Sequence, residues 1–172
     1  AARDFAQNVL KPGVIQRDED QQFPADEIKQ LAELGFMGMM VDPKYGGSGM
    51  DTLSYVLAME EISKIDASTS VCMSVNNSLV CWGIEKFGNE EQKQKYLIPL
   101  ANGEKIGAFC LSEPEAGSDA TSQSTTAIDH GDHYLLNGTK NWITNGSSAS
   151  IYLVIAQTNV ELGHKGINAF II

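Results

Sequence analysis

At 172 residues, 42% of them hydrophobic, the chain is long enough to bury a core as one large domain or two small ones. Its formal net charge of −10 excludes the basic surface that binding a phosphate backbone requires. Three cysteines, Cys72, Cys81 and Cys110, form no C-x-x-C pair or even disulfide framework, and no apolar run reaches the ~18 residues of a membrane span. They read as free thiols of a reducing compartment.

The residues up to about 105 carry helix signals throughout, enough for about five helices. Ala1 to Pro12 shows no secretory or transit pattern. In Phe23–Gly35 a proline opens the segment, acids follow, apolar residues recur at Ile28, Leu31 and Leu34, and a glycine closes it. Asp42 to Gly49, with one proline and three glycines, predicts an irregular loop. Asp51 and Asp66 are placed to cap two further helices, the second apolar on most faces and therefore buried among others. Asn89-Glu90-Glu91-Gln92 has capping-box spacing, and its helix should end near Ala101-Asn102-Gly103.

From Ile106 the periodicity changes. Ile106–Leu111, Tyr134–Leu136, Ile151–Ala156 and Asn168–Ile172 are short apolar runs between turn residues and predict strands. Asn137-Gly138 predicts a tight hairpin pairing the Tyr134 strand with one through Trp142, which would put Trp142 and Thr144 on one strand face. The expected organisation is α+β: an all-α helical domain over 1–105 and the first strands of a β-barrel-like middle domain over 106–172. The apolar end at Phe170-Ile171-Ile172 predicts a middle domain truncated there, with an unpaired edge.

Two segments stand out chemically. Ser112-Glu113-Pro114-Glu115-Ala116-Gly117-Ser118-Asp119 follows a strand with small and hydroxyl-bearing residues that can turn N–H and O–H groups toward an anionic or carbonyl ligand; a plain turn is the simpler account. Gly138 to Gly146, carrying Lys140, Trp142, Ile143, Thr144 and Asn145, offers an indole wall and a hydroxyl donor to a flat heteroaromatic ring. A core tryptophan beside a polar edge is the alternative.

Together, in this order and at about twenty residues' separation, Leu-Ser-Glu-Pro-Glu-Ala-Gly-Ser-Asp and Asn-Gly-Thr-Lys-Asn-Trp-Ile-Thr-Asn-Gly resemble the paired signature of the acyl-CoA dehydrogenase family. The Pro43–Gly49 loop, Glu60-Glu61-Ile62-Ser63 and Phe87 to Lys93 also resemble family segments, and Val75-Asn76-Asn77-Ser78-Leu79 is most similar to short-chain, butyryl-CoA-type members. The resemblance implies FAD-dependent α,β-dehydrogenation of a short-chain acyl-CoA, with electrons passed to electron-transferring flavoprotein. It also implies a homotetramer of the bacterial cytoplasm or mitochondrial matrix, serving fatty acid β-oxidation.

Residue by residue, the resemblance assigns Phe109, Leu111 and Ser112 to the pyrimidine side of the flavin and Ser118 to a contact shared by flavin and acyl-CoA. It assigns Trp142 to the isoalloxazine wall and Thr144 to the ring nitrogen that receives hydride; Gly117 and Ile143 complete the cofactor set. Position 109 is often tyrosine in the family, so a contact needing that phenol is not expected here. Serine at 112 keeps the hydroxyl of the usual threonine. The family's base is a glutamate of a C-terminal helical domain, expected to be absent from this chain, so no catalytic residue is assigned and the isolated chain is expected to be inactive. Glu113 and Glu115 are read as structural, and His130, His133 and His164 as surface residues without metal spacing. The competing readings are an acyl-CoA oxidase-like relative and an inactive fragment that keeps only the fold.

Overall fold

The structure, a computed structural model, describes residues 1–172. Six helical runs precede a five-stranded mixed sheet. Ala2–Phe5 continues through a π-helical turn, Ala6–Leu10, as α1; α2 is Val14–Glu19, α3 Ala25–Glu33 and α4 Thr52–Ser63. Residues 67–87 form one long helix, α5, whose middle, Val75–Cys81, is π-helical. Residues 90–101 form α6, likewise interrupted by a π turn.

The capping residues read from sequence act as expected. Asp51 accepts from Ser54 N–H at 2.8 Å, Asp66 accepts from Thr69 N–H at 2.9 Å, and Asn89 and Gln92 form a reciprocal capping box. Gly35 ends α3 in the left-handed region at φ 78°, where a side chain would be strained. The Asp42–Gly49 loop is less irregular than expected, since Pro43–Tyr45 makes a 3-10 turn capped by Asp42. One more helix is present than the sequence signals suggest, because Lys11-Pro12-Gly13 splits residues 2–19 in two.

An ion network joins the N-terminal helices to α5. Arg17 contacts Glu27 at 2.7 Å and Asp66 at 2.9 Å and also donates to Leu10 O. Burial alone would push the Asp66 carboxyl up, but its bonds from Thr69 and Arg17 hold it below the usual range.

Two adjacent asparagines at the centre of α5 connect the helices to the sheet. Asn76 donates to Met37 O at 2.9 Å and Leu100 O at 3.1 Å and accepts from Gly107 N–H at 2.9 Å. Asn77 accepts from Met39 N–H at 2.7 Å and donates to Phe36 O at 2.8 Å and Met73 O at 3.0 Å. Both are buried. The π turn spreads more residues round each turn, so consecutive side chains lie angularly closer than in an α-helix, and both amides face inward. Around them, Leu31, Met37, Ile62, Met73, Val80, Leu97 and Leu100 are fully buried.

The strands are β1 Gly107–Cys110, β2 Thr126–Asp129, β3 Tyr134–Asn137, β4 Ile151–Gln157 and β5 Ile167–Ile171. β4 is the hub. Its odd residues face one edge, where Ile151 N–H donates to Ile106 O and Gln157 N–H to Thr125 O; its even residues face the other, where Tyr152 exchanges bonds with Ile172. Thus β1 and β2 lie end to end along one edge of β4, both parallel to it, and antiparallel β5 covers the other edge. Gly107 lets β1 approach α5, since a Cβ there would lie 2.7 Å from Val80 Cγ1.

Two strand expectations need correction. The partner of β3 is β2, joined to it through Asp129-His130-Gly131-Asp132-His133, and not a strand through Trp142. Residues 138–146 contain no strand, so the shared-face argument for Trp142 and Thr144 does not hold. Gly138 serves instead where the chain crosses Thr125 closely enough to leave no room for a Cβ. The apolar end is paired on one side, with β5 laddered to β4 over Ile167–Ile171, and its other edge has no strand partner, as expected.

The asparagine junction gives the first prediction. Asn76→Ala removes two donors and the acceptor for a buried N–H, and should lower unfolding free energy by about 1–3 kcal/mol. Asn8→Ala, at an exposed position, should change it by less than about 0.5 kcal/mol. Urea titrations followed by far-UV circular dichroism check the pair.

Candidate functional site

Because β1 and β2 occupy one edge of β4 in series, residues 111–125 leave the sheet between them as an excursion. Its geometry is set by a carboxylate inside it. Glu113, its side chain 2% exposed, accepts from Ser124 N–H at 2.6 Å, Ser124 Oγ at 2.9 Å, Thr125 N–H at 3.0 Å and Lys140 Nζ at 2.7 Å. Burial pushes the Glu113 carboxyl up, but the Lys140 ammonium and the donors of Thr125 and Ser124 outweigh it and hold it at about 2. A carboxylate so occupied cannot take a substrate proton.

Lys140 belongs to the second segment and binds the first to it. Besides Glu113, its Nζ reaches Leu111 O at 2.9 Å and Gln123 Oε1 at 3.2 Å, while Asn141 N–H donates to Ser112 O at 2.8 Å. The two segments singled out in the sequence therefore form one surface. The linkage was not read from the sequence; its only signal is a lysine flanked by turn residues and facing an acid-bearing loop.

Within this surface Ser112, Ile143 and Thr144 are half-buried, Gly117 and Ser118 are exposed at the loop tip, and Trp142 is 93% exposed. Trp142 has φ 59°, a left-handed backbone uncommon for an aromatic residue. Asn145, three residues on, has φ 65° and is buried. Ile143 packs with Ala108, Cys110 and Val154. The internal bonds of the excursion come from Glu113, Asp119, Thr121, Ser122, Gln123 and Ser124 and leave the hydroxyls of Ser112, Ser118 and Thr144 unused.

Phe109 stands apart from this group. Alternation along β1 sends Ala108 and Cys110 to the face of Ile143 and Phe109 to the opposite face, where it packs toward α5. There it lines a groove of ≈ 480 Å³ with Leu79, Trp82, Phe87, Leu153 and Ile155. The structure thus brings Leu111, Ser112, Trp142, Ile143 and Thr144 together and leaves Phe109 across the sheet from Ile143. Glu115 is exposed within the first segment and makes no side-chain bond there, while His130, His133 and His164 are exposed and outside both segments.

A helical unit whose long helix abuts a mixed sheet carries two loops tied together by a buried Lys–Glu pair. The chain belongs to the acyl-CoA dehydrogenase family: residues 1–104 match the family's N-terminal domain and residues 108–172 its middle domain. Among relatives, it is 51% identical to the human mitochondrial short-chain specific acyl-CoA dehydrogenase over 170 residues, covering 99% of this chain and 41% of that protein. Butyryl-CoA dehydrogenase from Megasphaera elsdenii superposes at TM-score 0.94 with 46% identity, over 99% of this chain and 46% of that one. A solved structure described as the electron transferring flavoprotein of Acidaminococcus fermentans matches at TM-score 0.96 and 48% identity, over 99% of this chain and 45% of that one. The chain spans less than half the length of the curated relatives it matches.

The buried pair generates a pH prediction. The folded carboxyl of Glu113 lies below its unfolded value of 4.5, so its contribution is complete above about pH 5 and disappears as pH falls toward about 2. Glu113→Gln leaves a buried ammonium without its counter-charge and should cost about 3–5 kcal/mol at pH 7. The deficit relative to wild type should shrink between pH 5 and 2. Chemical denaturation of both proteins across that range checks the slope.

Proposed function

We propose that this protein works with bound FAD as a short-chain acyl-CoA dehydrogenase, drawing electrons from an acyl-CoA thioester and passing them to an electron-transferring flavoprotein in the bacterial cytoplasm or mitochondrial matrix. The observation that carries the reading is Trp142. A nearly fully exposed indole on a left-handed backbone is costly to a surface loop, and such outliers gather where a ligand is held. Beside it lie the unused hydroxyls of Ser112 and Thr144, and at the loop tip that of Ser118.

These residues fit a flavin. The indole offers a planar apolar wall to a fused ring, and the two hydroxyls can meet a heterocycle edge rich in acceptors. Held there, FAD would supply a hydride acceptor for the β-hydrogen of a thioester that loses its α-proton. Leu111 and Ser112, fixed by Lys140 and Asn141, present one edge of the site; Trp142 and Thr144 present the other; Gly117 and Ser118 sit at the tip where a thioester would approach. Phe109, across the sheet, fits an apolar contact in the groove beside α5 better than a polar flavin edge. Proton abstraction falls to none of these, since Glu113 is fully engaged. The likeness to short-chain and butyryl-CoA dehydrogenases supports the substrate class, and that to a structure described as an electron transferring flavoprotein supports the acceptor.

In the FAD-reconstituted protein, Trp142→Ala should weaken FAD binding by about 0.5–1.5 kcal/mol or more, the magnitude of an aromatic stacking contact. Thr144→Ala should alter the flavin potential while leaving thermal stability within about 0.5 kcal/mol of wild type. Equilibrium titration with FAD and spectroelectrochemistry read these effects, and unchanged affinity and potential in both variants would remove the segment from the site. Anaerobic addition of butyryl-CoA with loss of flavin absorbance tests the substrate class.

A further inference from the structure

The turn carrying Trp142 and Thr144 is fastened by a side chain that neither the family signature reading nor the flavin proposal assigns. Asn145 is buried, has φ 65°, and donates through one nitrogen to two carbonyls: Gly107 O of β1 at 3.0 Å and Cys72 O of α5 at 3.3 Å. Its Oδ1 is buried without a partner. An orphaned acceptor is costly, so the position is not tuned for the amide oxygen.

What the position demands is a left-handed backbone together with two N–H donors. Glycine satisfies only the first demand, and aspartate would turn an acceptor toward two carbonyls. Glutamine, lysine and arginine tolerate the left-handed region poorly, whereas asparagine is enriched there. The short asparagine amide meets both demands with one nitrogen, and the unpartnered oxygen is the residue of that compromise.

We propose that Asn145 is the positioning residue of this turn: its amide clamps the Trp142–Thr144 segment simultaneously to the first strand of the sheet and to α5. The turn is held at three points: Asn141 N–H on Ser112 O, Ile143 in the apolar cluster with Ala108 and Cys110, and Asn145 on Gly107 and Cys72. Trp142 lies between the first two anchors, and Thr144 between the last two. Of the three, the Asn145 anchor alone spans both the sheet and the helices. Its role in holding FAD rests on the flavin reading, whereas its role in holding the turn does not.

The test uses Asn145→Gly and Asn145→Ala in a Trp82→Phe background, so that Trp142 is the sole tryptophan. Asn145→Gly keeps the left-handed backbone and loses only the donors, and it serves if Asn145→Ala fails to fold. Both variants should lower the steady-state fluorescence anisotropy of Trp142 in the ligand-free protein. In the FAD-titrated protein they should raise the FAD dissociation constant by about five- to thirtyfold, the factor for losing one or two kcal/mol. Wild-type anisotropy in Asn145→Gly would overturn the proposal and reduce the requirement to backbone conformation. If Asn145→Gly loosens Trp142 while both it and Trp142→Ala bind FAD normally, the clamp stands and the flavin reading of the turn fails.

Discussion

Everything in this molecule depends on the paired amides of Asn76 and Asn77 at the centre of a π-helical turn. A buried amide that meets its partners costs little, whereas one that misses them costs a full desolvation penalty, so these side chains fix their surroundings more narrowly than apolar packing does. Each amide spans otherwise separate backbone segments. Asn77 holds the turn around Phe36 and Met39 to α5, and Asn76 joins that turn, the end of α6 and the first residue of β1. The sheet therefore starts at a position dictated by a helix, and the close approach at Gly107 follows from the same contact.

From that fixed start the site is built outward. β1 delivers Leu111 and Ser112; the excursion beyond them is closed by Glu113 and Lys140; Lys140 brings Asn141 to Ser112; and the turn after it returns to β1 and α5 through Asn145. The charged pair organises the loop without doing chemistry. With its lone pairs engaged and its ionised form stabilised by Lys140, Glu113 fills the interior of the excursion and leaves the hydroxyls of Ser112 and Ser118 without internal partners.

The helical half was legible because its signals are local: Asp51, Asp66 and Asn89 cap helices through atoms three residues away, and Gly35 ends one by its own conformational freedom. The sheet was only partly legible. Thr126–Asp129 has a single large apolar residue and acquires its strand geometry from β3 and the end of β4, so nothing in its own sequence announces it. Asn137-Gly138 misled because glycine there answers the proximity of Thr125, a contact with a residue 13 positions earlier (138 − 125), and not a tight turn. The site segments were found by their unusual composition and family resemblance. What binds them, Lys140 to Glu113 and Asn145 to Cys72, spans 27 and 73 residues and has no local pattern.

The in-line arrangement of β1 and β2 on β4 bears on how the chain is made. Gly107 pairs with Ile151, 44 residues later (151 − 107), so during synthesis β1 emerges long before the strand that hydrogen-bonds it. Long-range parallel pairing of this kind is slow to form compared with local contacts. In the folded chain α5 meets Gly107 through Asn76 and Val80. Because residues 151–157 pair with both β1 and β2, the excursion between those strands is fixed at both ends only once that long-range pairing has formed.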